Sequence, residues 1–561
     1  MSTTAICPDG KAPNPSTMQP RDYTWLFALG LIQAFLDAYG IGANDVANSF
    51  ATAVASKTIS LRTACIIATF AEFLGALLLG KSTAETIRNG IITLGDFQKY
   101  PELLMLGMWC ALIGSSTWVL VATSFGMPVS TTHSIVGAII GMGIATYGSS
   151  VVIWNYDGVA KIVTSWFTSP IVAAIAAVVI YLSIKFFVMK SRNPFEMGLR
   201  TLPIFFFVTI GLNLFYVCIK GAGNLTKPES MPPAQQAAFF GGIFGAALLC
   251  AAFAWFFYVP WLRRVLYDEE DLKVWHIPVA PFIGKQPKRT VALTPWGEER
   301  MKAERAAGAL EEGEKKEGDA EETQAAIATT DVVAKGPNDL AEIMASKKTI
   351  FGKAAAVFTH GTEVEVANHD AERFHELHDV AIKYDSRAEE LYSFLQIFTC
   401  TLASFAHGAN DVANAIGPLS LIYLVWSQGG QCVRLGKSVN VEVWILAFGG
   451  IAIDIGLLTY GYNVMRSLGN HITYHSPSRG FSMELGAGLT VLTASYIGLP
   501  VSTTHCITGA TAGVGLCNAR VNAINWKLLA WCFFSWIITL PIAGGIAAIF
   551  MAIIVNAPRR N

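Results

Sequence analysis

The chain has 561 residues, 53% of them hydrophobic and only 14% charged, a balance that excludes a soluble protein of this length. Its 50 glycines are typical of closely packed membrane helices, and the net charge of −1 gives no indication of a nucleic-acid partner. The ten cysteines form neither a disulfide framework nor a CxxC metal pattern. Only Cys7 and Cys432 lie in polar segments, where a single bridge is conceivable.

Two groups of apolar runs follow a polar N-terminal tail, residues 1–23, which has no signal-peptide core. Each run has about the 20 residues needed to cross a bilayer. The first group defines a membrane half at 24–260, with runs near 24–40, 62–80, 102–124, 129–147, 162–189, 201–219 and 237–258. The second defines a half at 390–555, with runs near 390–407, 441–461, 481–498, 501–517 and 527–555, before a C-terminal tail at 556–561. The sequence therefore predicts an all-α polytopic membrane protein with about 12 transmembrane segments, some of them broken or re-entrant where Gly, Pro and hydroxyl residues cluster.

The interval between the halves, residues 261–389, has a different composition. It is rich in Ala, Lys and Glu, carries an acidic run from Glu311 to Glu322, and is too polar to bury a core of its own. We expect a largely disordered cytosolic loop. Either it is a plain linker, or phosphorylation or regulatory partners act on it.

A cytosolic loop after seven crossings places the N-terminus outside. Lys190, Arg192 and Arg200 then lie inside, in agreement with the positive-inside rule, whereas Lys81, Arg88 and Lys99 do not. A glycosylation sequon at Asn224 falls in a loop that this arrangement places outside.

The chain contains an internal repeat. Gly42-Ala-Asn-Asp-Val-Ala-Asn48 recurs unchanged as Gly408-Ala-Asn-Asp-Val-Ala-Asn414, and Pro128-Val-Ser-Thr-Thr-His133 recurs as Pro500-Val-Ser-Thr-Thr-His505. The order is the same and the offsets are nearly equal, 366 and 372 residues. Because an odd number of predicted crossings separates the two copies of the first motif, the halves have inverted topology, an architecture that supports alternating access.

The first motif supplies hard oxygen ligands within an apolar neighbourhood. Intramembrane ionisable residues are costly and usually functional, and a carboxylate beside carboxamides suits a small cation such as sodium, without the thiolates or paired histidines that favour zinc or copper. The alternative is a helix cap or a polar contact between helices. The residues of this candidate cation site are Asn44, Asp45, Asn48, Asn410, Asp411 and Asn414.

The second motif places three hydroxyls at a predicted helix start, where free backbone N–H groups attract anions. The six hydroxyls of the two copies can surround a tetrahedral oxyanion such as phosphate from two sides, although helix capping is the alternative use. They are Ser130, Thr131, Thr132, Ser502, Thr503 and Thr504. We expect His133 and His505 to orient these groups by hydrogen bonds.

Two further acidic residues, Glu72 and Glu484, lie within apolar runs at positions that are not equivalent in the repeat. Either can ligate a cation, carry a proton or pair with a base. Neither motif contains Lys or Arg, so an anion would meet uncompensated negative charge in a low-dielectric setting. Bound cations invert that field, and we therefore expect the anion to bind only after them.

The duplicated motifs resemble those of the inorganic phosphate transporter (PiT) family, the sodium-dependent phosphate symporters, across both membrane halves but not the central loop. The resemblance implies phosphate symport by two inverted repeats, coupled to sodium in most eukaryotic members and to protons in some others. It implies cation sites at Asn44, Asp45, Asn410 and Asp411, phosphate contacts from the six hydroxyls, and transport roles for Glu72 and Glu484. It also implies a multi-pass protein of the plasma membrane, with no cofactor besides the co-transported sodium.

The leading prediction is a sodium-coupled importer of inorganic phosphate. Proton coupling, another oxyanion, and a phosphate sensor with a transporter-like core remain open, and a homodimer is compatible with the same architecture. An enzyme is not expected, because the chain has no P-loop, no G-x-S-x-G and no metal-hydrolase spacing.

Overall fold

The computed structural model describes residues 21–221, 231–314, 362, 381–429, 432–435, 441–468, 472–497, 499–518 and 520–557. Most of the N-terminal tail, Cys7, the sequon at Asn224 and the acidic run of the central loop from residue 315 lie outside these ranges. Cys432 is disulfide-bonded.

The described residues form mainly α-helices, most of them joined by short turns. The first half contains α1 (Thr24–Ala55), α2 (Leu61–Asn89), α3 (Pro101–Ser124), α4 (Thr131–Tyr147), α5 (Val159–Ile184), α6 (Pro194–Gly221), α7 (Pro233–Phe253) and α8 (Val259–Leu266). A loop helix, α9 (Pro295–Glu314), precedes the second half, which contains α10 (Ser386–Gln428), α11 (Val443–Tyr460), α12 (Tyr462–Leu468), α13 (Pro477–Tyr496), α14 (Thr503–Leu516) and α15 (Trp526–Asn556). Within the described residues, eight helices are long and apolar enough to cross a membrane; the prediction of 12 segments is not confirmed as a count.

Two of the predicted segments are too short to cross. Helices α4 and α14 have 17 and 14 residues, which at 1.5 Å per residue is about 26 and 21 Å, less than the roughly 30 Å of a hydrocarbon core. Each starts at a serine N-cap: Ser130 Oγ accepts from the N–H of His133 at 3.2 Å, and Ser502 Oγ from that of His505 at 3.3 Å. Each packs on the helix before it, α3 or α13, as the second arm of a helix hairpin, and neither α4 nor α14 is long enough to cross the membrane as a straight helix.

Helices α1 and α10, which carry the first motif, run antiparallel. At one end Trp426 Nε1 donates to Thr24 Oγ1 at 3.1 Å, and its ring stacks on Phe27 with the centroids 4.2 Å apart. At the other end, Ser56 is the C-cap residue of α1. Its hydroxyl donates to Oε1 of Gln396, near the start of α10, at 2.8 Å. Because both helices carry the first motif in the same chain direction, their antiparallel arrangement gives the two halves inverted topology, as predicted from the odd number of crossings.

The two halves interlock. Helix α1 packs on α11 and α10 on α2, while α4 packs on α15 and α14 on α5. Gly42 lies against the backbone of Ile453 on α11, and Gly408 lies against the backbone of Glu72 on α2. A Cβ at either glycine would collide with that backbone, so the two motif helices approach their partners at backbone distance.

Part of the central interval is folded. Its described residues include α9, and Arg264 Nε donates to the buried Glu270 at 3.0 Å. Arg300 on α9 pairs with Glu390 on α10 at 2.7 Å. The predicted disorder of the interval therefore does not extend to residues 261–314 and 381–389, and residues 315–380, apart from 362, lie outside the described ranges.

Candidate substrate site

The repeated motifs meet in one buried polar cluster. Thr131 Oγ1 donates to Asp45 Oδ2 at 2.9 Å within the first half, and Thr503 Oγ1 donates to Asp411 Oδ2 at 2.9 Å within the second. Both aspartates are 1% exposed. The aspartates and threonines named by the sequence are therefore brought together by helices α1 and α10 and by the starts of α4 and α14.

The remaining motif asparagines connect the halves to each other. Asn48 Nδ2 donates to Thr503 Oγ1 at 3.3 Å and to Thr504 Oγ1 at 2.9 Å. Symmetrically, Asn414 Nδ2 donates to the hydroxyls of Thr131 at 3.2 Å and Thr132 at 3.3 Å. Each half thus supplies an amide that holds the hydroxyls of the other.

Asn44 and Asn410 hold the turns that lead into α4 and α14. Asn44 Oδ1 accepts from the N–H of Val129 at 3.1 Å, and its Nδ2 donates to the carbonyl of Met127 at 3.0 Å. Asn410 Nδ2 donates to the carbonyl of Val501 at 2.9 Å. These amides position the second motif, which is the interhelical role that the sequence left open beside cation ligation.

The hairpin tips touch each other at the centre. The rings of His133 and His505 lie with centroids 4.5 Å apart. Each Nδ1 faces a helix carbonyl, that of Trp536 at 3.3 Å for His133 and that of Trp166 at 3.1 Å for His505. The N-termini of α4 and α14, which favour anions, therefore lie side by side.

One central residue, His407, is absent from the sequence-based site. Its Nε2 lies 2.9 Å from Asp411 Oδ2 and 3.8 Å from Asp45 Oδ2, while its Nδ1 lies 2.7 Å from Glu72 Oε2. It is the basic side chain that joins Glu72 to the two aspartates. The signal was its position directly before the second copy of the motif, where the first copy has Ile41.

Asp45, His407 and Asp411 form a potential cation-binding group. One ligand atom from each lies within 4.8 Å of the others, and all three residues are buried. Carboxylate oxygens with nearby hydroxyls suit a hard monovalent or divalent cation.

Glu484 lies in a separate polar pocket. It accepts from Thr52 Oγ1 at 2.5 Å, Thr399 Oγ1 at 2.6 Å and Gln396 Nε2 at 2.9 Å. Thr52 is one helical turn beyond Asn48 on α1, so this carboxylate lies next to the central cluster, but its three hydrogen-bond partners lie outside the two motifs. The structure thus brings Glu72 into the cluster and leaves Glu484 beside it.

Comparison with known proteins places this geometry in a family. Residues 41–547 match the model of the phosphate transporter family. The phosphate-repressible phosphate permease pho-4 of Neurospora crassa is 39% identical, with 96% of this chain and 98% of that protein covered. The sodium-dependent phosphate transporter 2 of Xenopus laevis is 31% identical, with 95% and 98% covered.

A solved structure described as the sodium-dependent phosphate transporter superposes with a TM-score of 0.65 at 27% identity, covering 95% of this chain and all of that one. The family match at residues 41–547 spans both interlocked halves and includes both copies of each motif. The chain belongs to the phosphate transporter family.

Proposed function

We propose that this protein imports inorganic phosphate together with sodium by alternating access across the plasma membrane, without chemical change to the substrate. The observation that carries the proposal is the two-fold arrangement in which each motif aspartate accepts a hydrogen bond from a threonine of the second motif. Support for sodium comes from the names of the animal relatives and of the similar structure.

The arrangement suggests how cation and anion are coupled. The hydroxyl hydrogens of Thr131 and Thr503 are donated to Asp45 and Asp411. A sodium ion bound by a carboxylate takes the place of that hydrogen, and the hydroxyl then has its hydrogen free for a phosphate oxygen. The same ion cancels the negative charge that would repel phosphate. Phosphate binding therefore follows sodium binding.

The residues divide into four proposed roles. Asp45, Asp411, Asn48 and Asn414 contribute to sodium binding, and the amides of Asn44 and Asn410 fix the turns. Glu72 balances His407, while Glu484 forms a further cation site. The hydroxyls of Ser130, Thr131, Thr132, Ser502, Thr503 and Thr504, with the N-termini of α4 and α14, hold phosphate.

Uptake of radiolabelled phosphate into proteoliposomes tests the proposal. With sodium outside, uptake should exceed that with choline over the whole pH range. Uptake that ignores sodium and follows an inward proton gradient would overturn the sodium assignment.

A second candidate, proton coupling, is favoured by one observation. His407 contacts Glu72 at 2.7 Å and Asp411 at 2.9 Å, and a histidine between carboxylates is a common proton carrier. The same uptake experiment separates the two candidates.

A further inference from the structure

Helix α9 attaches to both motif helices on one side of the membrane domain, here called the loop face, which carries Lys57, Ser386 and Pro477. The backbone N–H of Trp296 donates to the carbonyl of Lys57, just after α1, at 2.7 Å. The indole Nε1 of Trp296 donates to the carbonyl of Ser386, the first residue of α10, at 3.1 Å. One residue of α9 thus holds the loop-face ends of α1 and α10 together.

A buried ion pair strengthens this attachment. Arg300 Nε lies 2.7 Å from Glu390 Oε2, and the two side chains are 5% and 1% exposed. Gly297 packs so closely that a Cβ would collide with the Glu390 carboxylate. Removing one partner of such a pair leaves an uncompensated buried charge, which is strongly destabilising to that contact.

Hydrogen bonds extend from this contact toward the substrate site. The neighbouring Glu389 accepts from the N–H of Ser478 at 2.9 Å and from Ser476 Oγ at 3.1 Å, which ties α10 to the start of α13. Further along α10, Gln396 accepts from Ser56 and donates to Glu484. The loop-face ends of α1, α10 and α13 are therefore bound to one another.

The space between the site and the loop face is closed. A cavity of about 20 Å³, room for little more than one water molecule, lies between α1 and α14, and the residues that line it are all buried. Its lining includes Ala51, Thr52, His475 and Thr508. Phosphate cannot pass to the loop face unless the ends of α1, α10 and α13 separate.

We propose that α9 is a clamp that keeps the loop face shut, and that the contacts of Trp296 and Arg300 with α1 and α10 must be released each time the site opens to that face. The clamp sets the balance between closed and open loop-face states. This inference rests on the alternating access proposed above. It means that the folded part of the central interval regulates how readily the substrate site opens to the loop face.

Thiol labelling tests the clamp without requiring transport. Ala51→Cys, in the closed cavity, is exposed to a membrane-impermeant maleimide in the purified full chain, and labelling at that residue is followed by peptide mapping. Adding Arg300→Ala should raise the labelling rate about tenfold, because the buried ion pair no longer stabilises the closed state and the open state is then more populated. Trp296→Phe keeps an aromatic ring but removes the indole N–H that donates to the carbonyl of Ser386. This variant should give a smaller rise in the labelling rate.

Lys302→Ala provides the matched control. It lies on the same helix and pairs with Glu298, but both side chains are mostly exposed, so its removal should leave the labelling rate unchanged. Unchanged labelling in Arg300→Ala and Trp296→Phe would overturn the clamp, even if phosphate uptake were sodium-coupled. Faster labelling in a protein that carries no phosphate would instead overturn the proposed function and leave the clamp standing.

Discussion

At the scale of single residues, the cluster is organised by a histidine that occurs in one half only. Asp45, Asp411 and Glu72 are each about 1% exposed, and burial of several carboxylates is unfavourable unless they are hydrogen-bonded or paired. His407 contacts all three, while the equivalent Ile41 contributes nothing polar. The two motif copies are identical, but their surroundings differ. The basic side chain next to the buried carboxylates therefore comes from the second half alone.

Replacing His407 by Ala should leave the three buried carboxylates without their basic partner. Glu72 keeps only its bond from Ser404 at 2.8 Å, and Asp411 loses its basic neighbour. We expect phosphate uptake to fall by about tenfold or more, because a buried charge that is left unpaired strongly destabilises its surroundings. Initial uptake rates in proteoliposomes, corrected for protein incorporated, measure the effect, and uptake equal to that of the parent would show that His407 is dispensable.

Asp45→Asn and Asp411→Asn test the proposed link between sodium and phosphate. An amide keeps the size of the side chain but not the charge that attracts the cation, so the sodium concentration for half-maximal uptake and the phosphate KM should rise together, each by about tenfold.

Asp37→Asn is the matched control for these variants. Asp37 lies on the same helix as Asp45 and is also fully buried, but it is about two helical turns away from Asp45 and outside the motif. Its replacement should leave the sodium dependence unchanged. Sodium-coupled uptake at full rate in both Asp45→Asn and Asp411→Asn would show that the cation sites are elsewhere.

At the scale of elements, the second motif forms a helix cap with residues that we also propose as phosphate ligands. Ser130 and Ser502 accept from the N–H groups of His133 and His505, as the capping alternative required. A capping oxygen still has its own hydrogen to donate, so capping does not remove it from the proposed anion site. The turn before each helix is held by an asparagine of the first motif, which explains why the two motifs occur together in both halves.

Ser130→Ala should therefore have two effects. Loss of the cap should lower the free energy of unfolding by about 1 kcal/mol, visible as a lower Tm. Loss of the hydroxyl donor should raise the phosphate KM more than the half-maximal sodium concentration. A lower Tm with an unchanged phosphate KM, in this variant and in Ser502→Ala, would restrict both serines to capping.

The close helix contacts give a sharper structural test. Gly42→Ala and Gly408→Ala place a methyl group where it collides with the backbone of α11 or α2. Overpacking of this kind lowers the free energy of unfolding by about 1–3 kcal/mol or more. We expect both variants to lose transport and thermal stability. Gly245→Ala on α7, where a Cβ meets nothing within 4 Å, should behave as the parent. Normal transport by Gly42→Ala and Gly408→Ala would mean that α1 and α10 are not held at this distance.

The whole molecule shows which features a single sequence can and cannot predict. The duplication was readable because two identical motifs recur at nearly equal offsets, and their inversion followed from an odd number of crossings. The sequence predicts that some segments are broken or re-entrant but does not say which. Helices α4 and α14 are apolar like the crossing helices and are distinguished from them by their shorter length. His407 and α9 were missed because their partners, Glu72 and Glu390, are distant in sequence and each contact occurs once, with no repeat to point to it.

The interlocked halves lead to a final prediction about assembly. Since α1 packs on α11, α2 on α10, α4 on α15 and α5 on α14, each half lacks its packing partners when it is alone. Cutting the gene after Gly336 separates the halves within the central interval and leaves every described helix intact. The two fragments, produced together, should associate and restore sodium-dependent phosphate uptake, while either fragment alone should be inactive.

A second cut, after Ile497 at the tip of the α13–α14 hairpin, is the control for this prediction. It severs the turn that Asn410 holds through Val501, so the hydroxyls of α14 lose their fixed position opposite Asn48. Co-purification of the fragments and uptake in proteoliposomes distinguish the two cuts. Uptake by the first half alone would contradict a site built from both halves, because half of its hydroxyls and one of its aspartates would then be unnecessary.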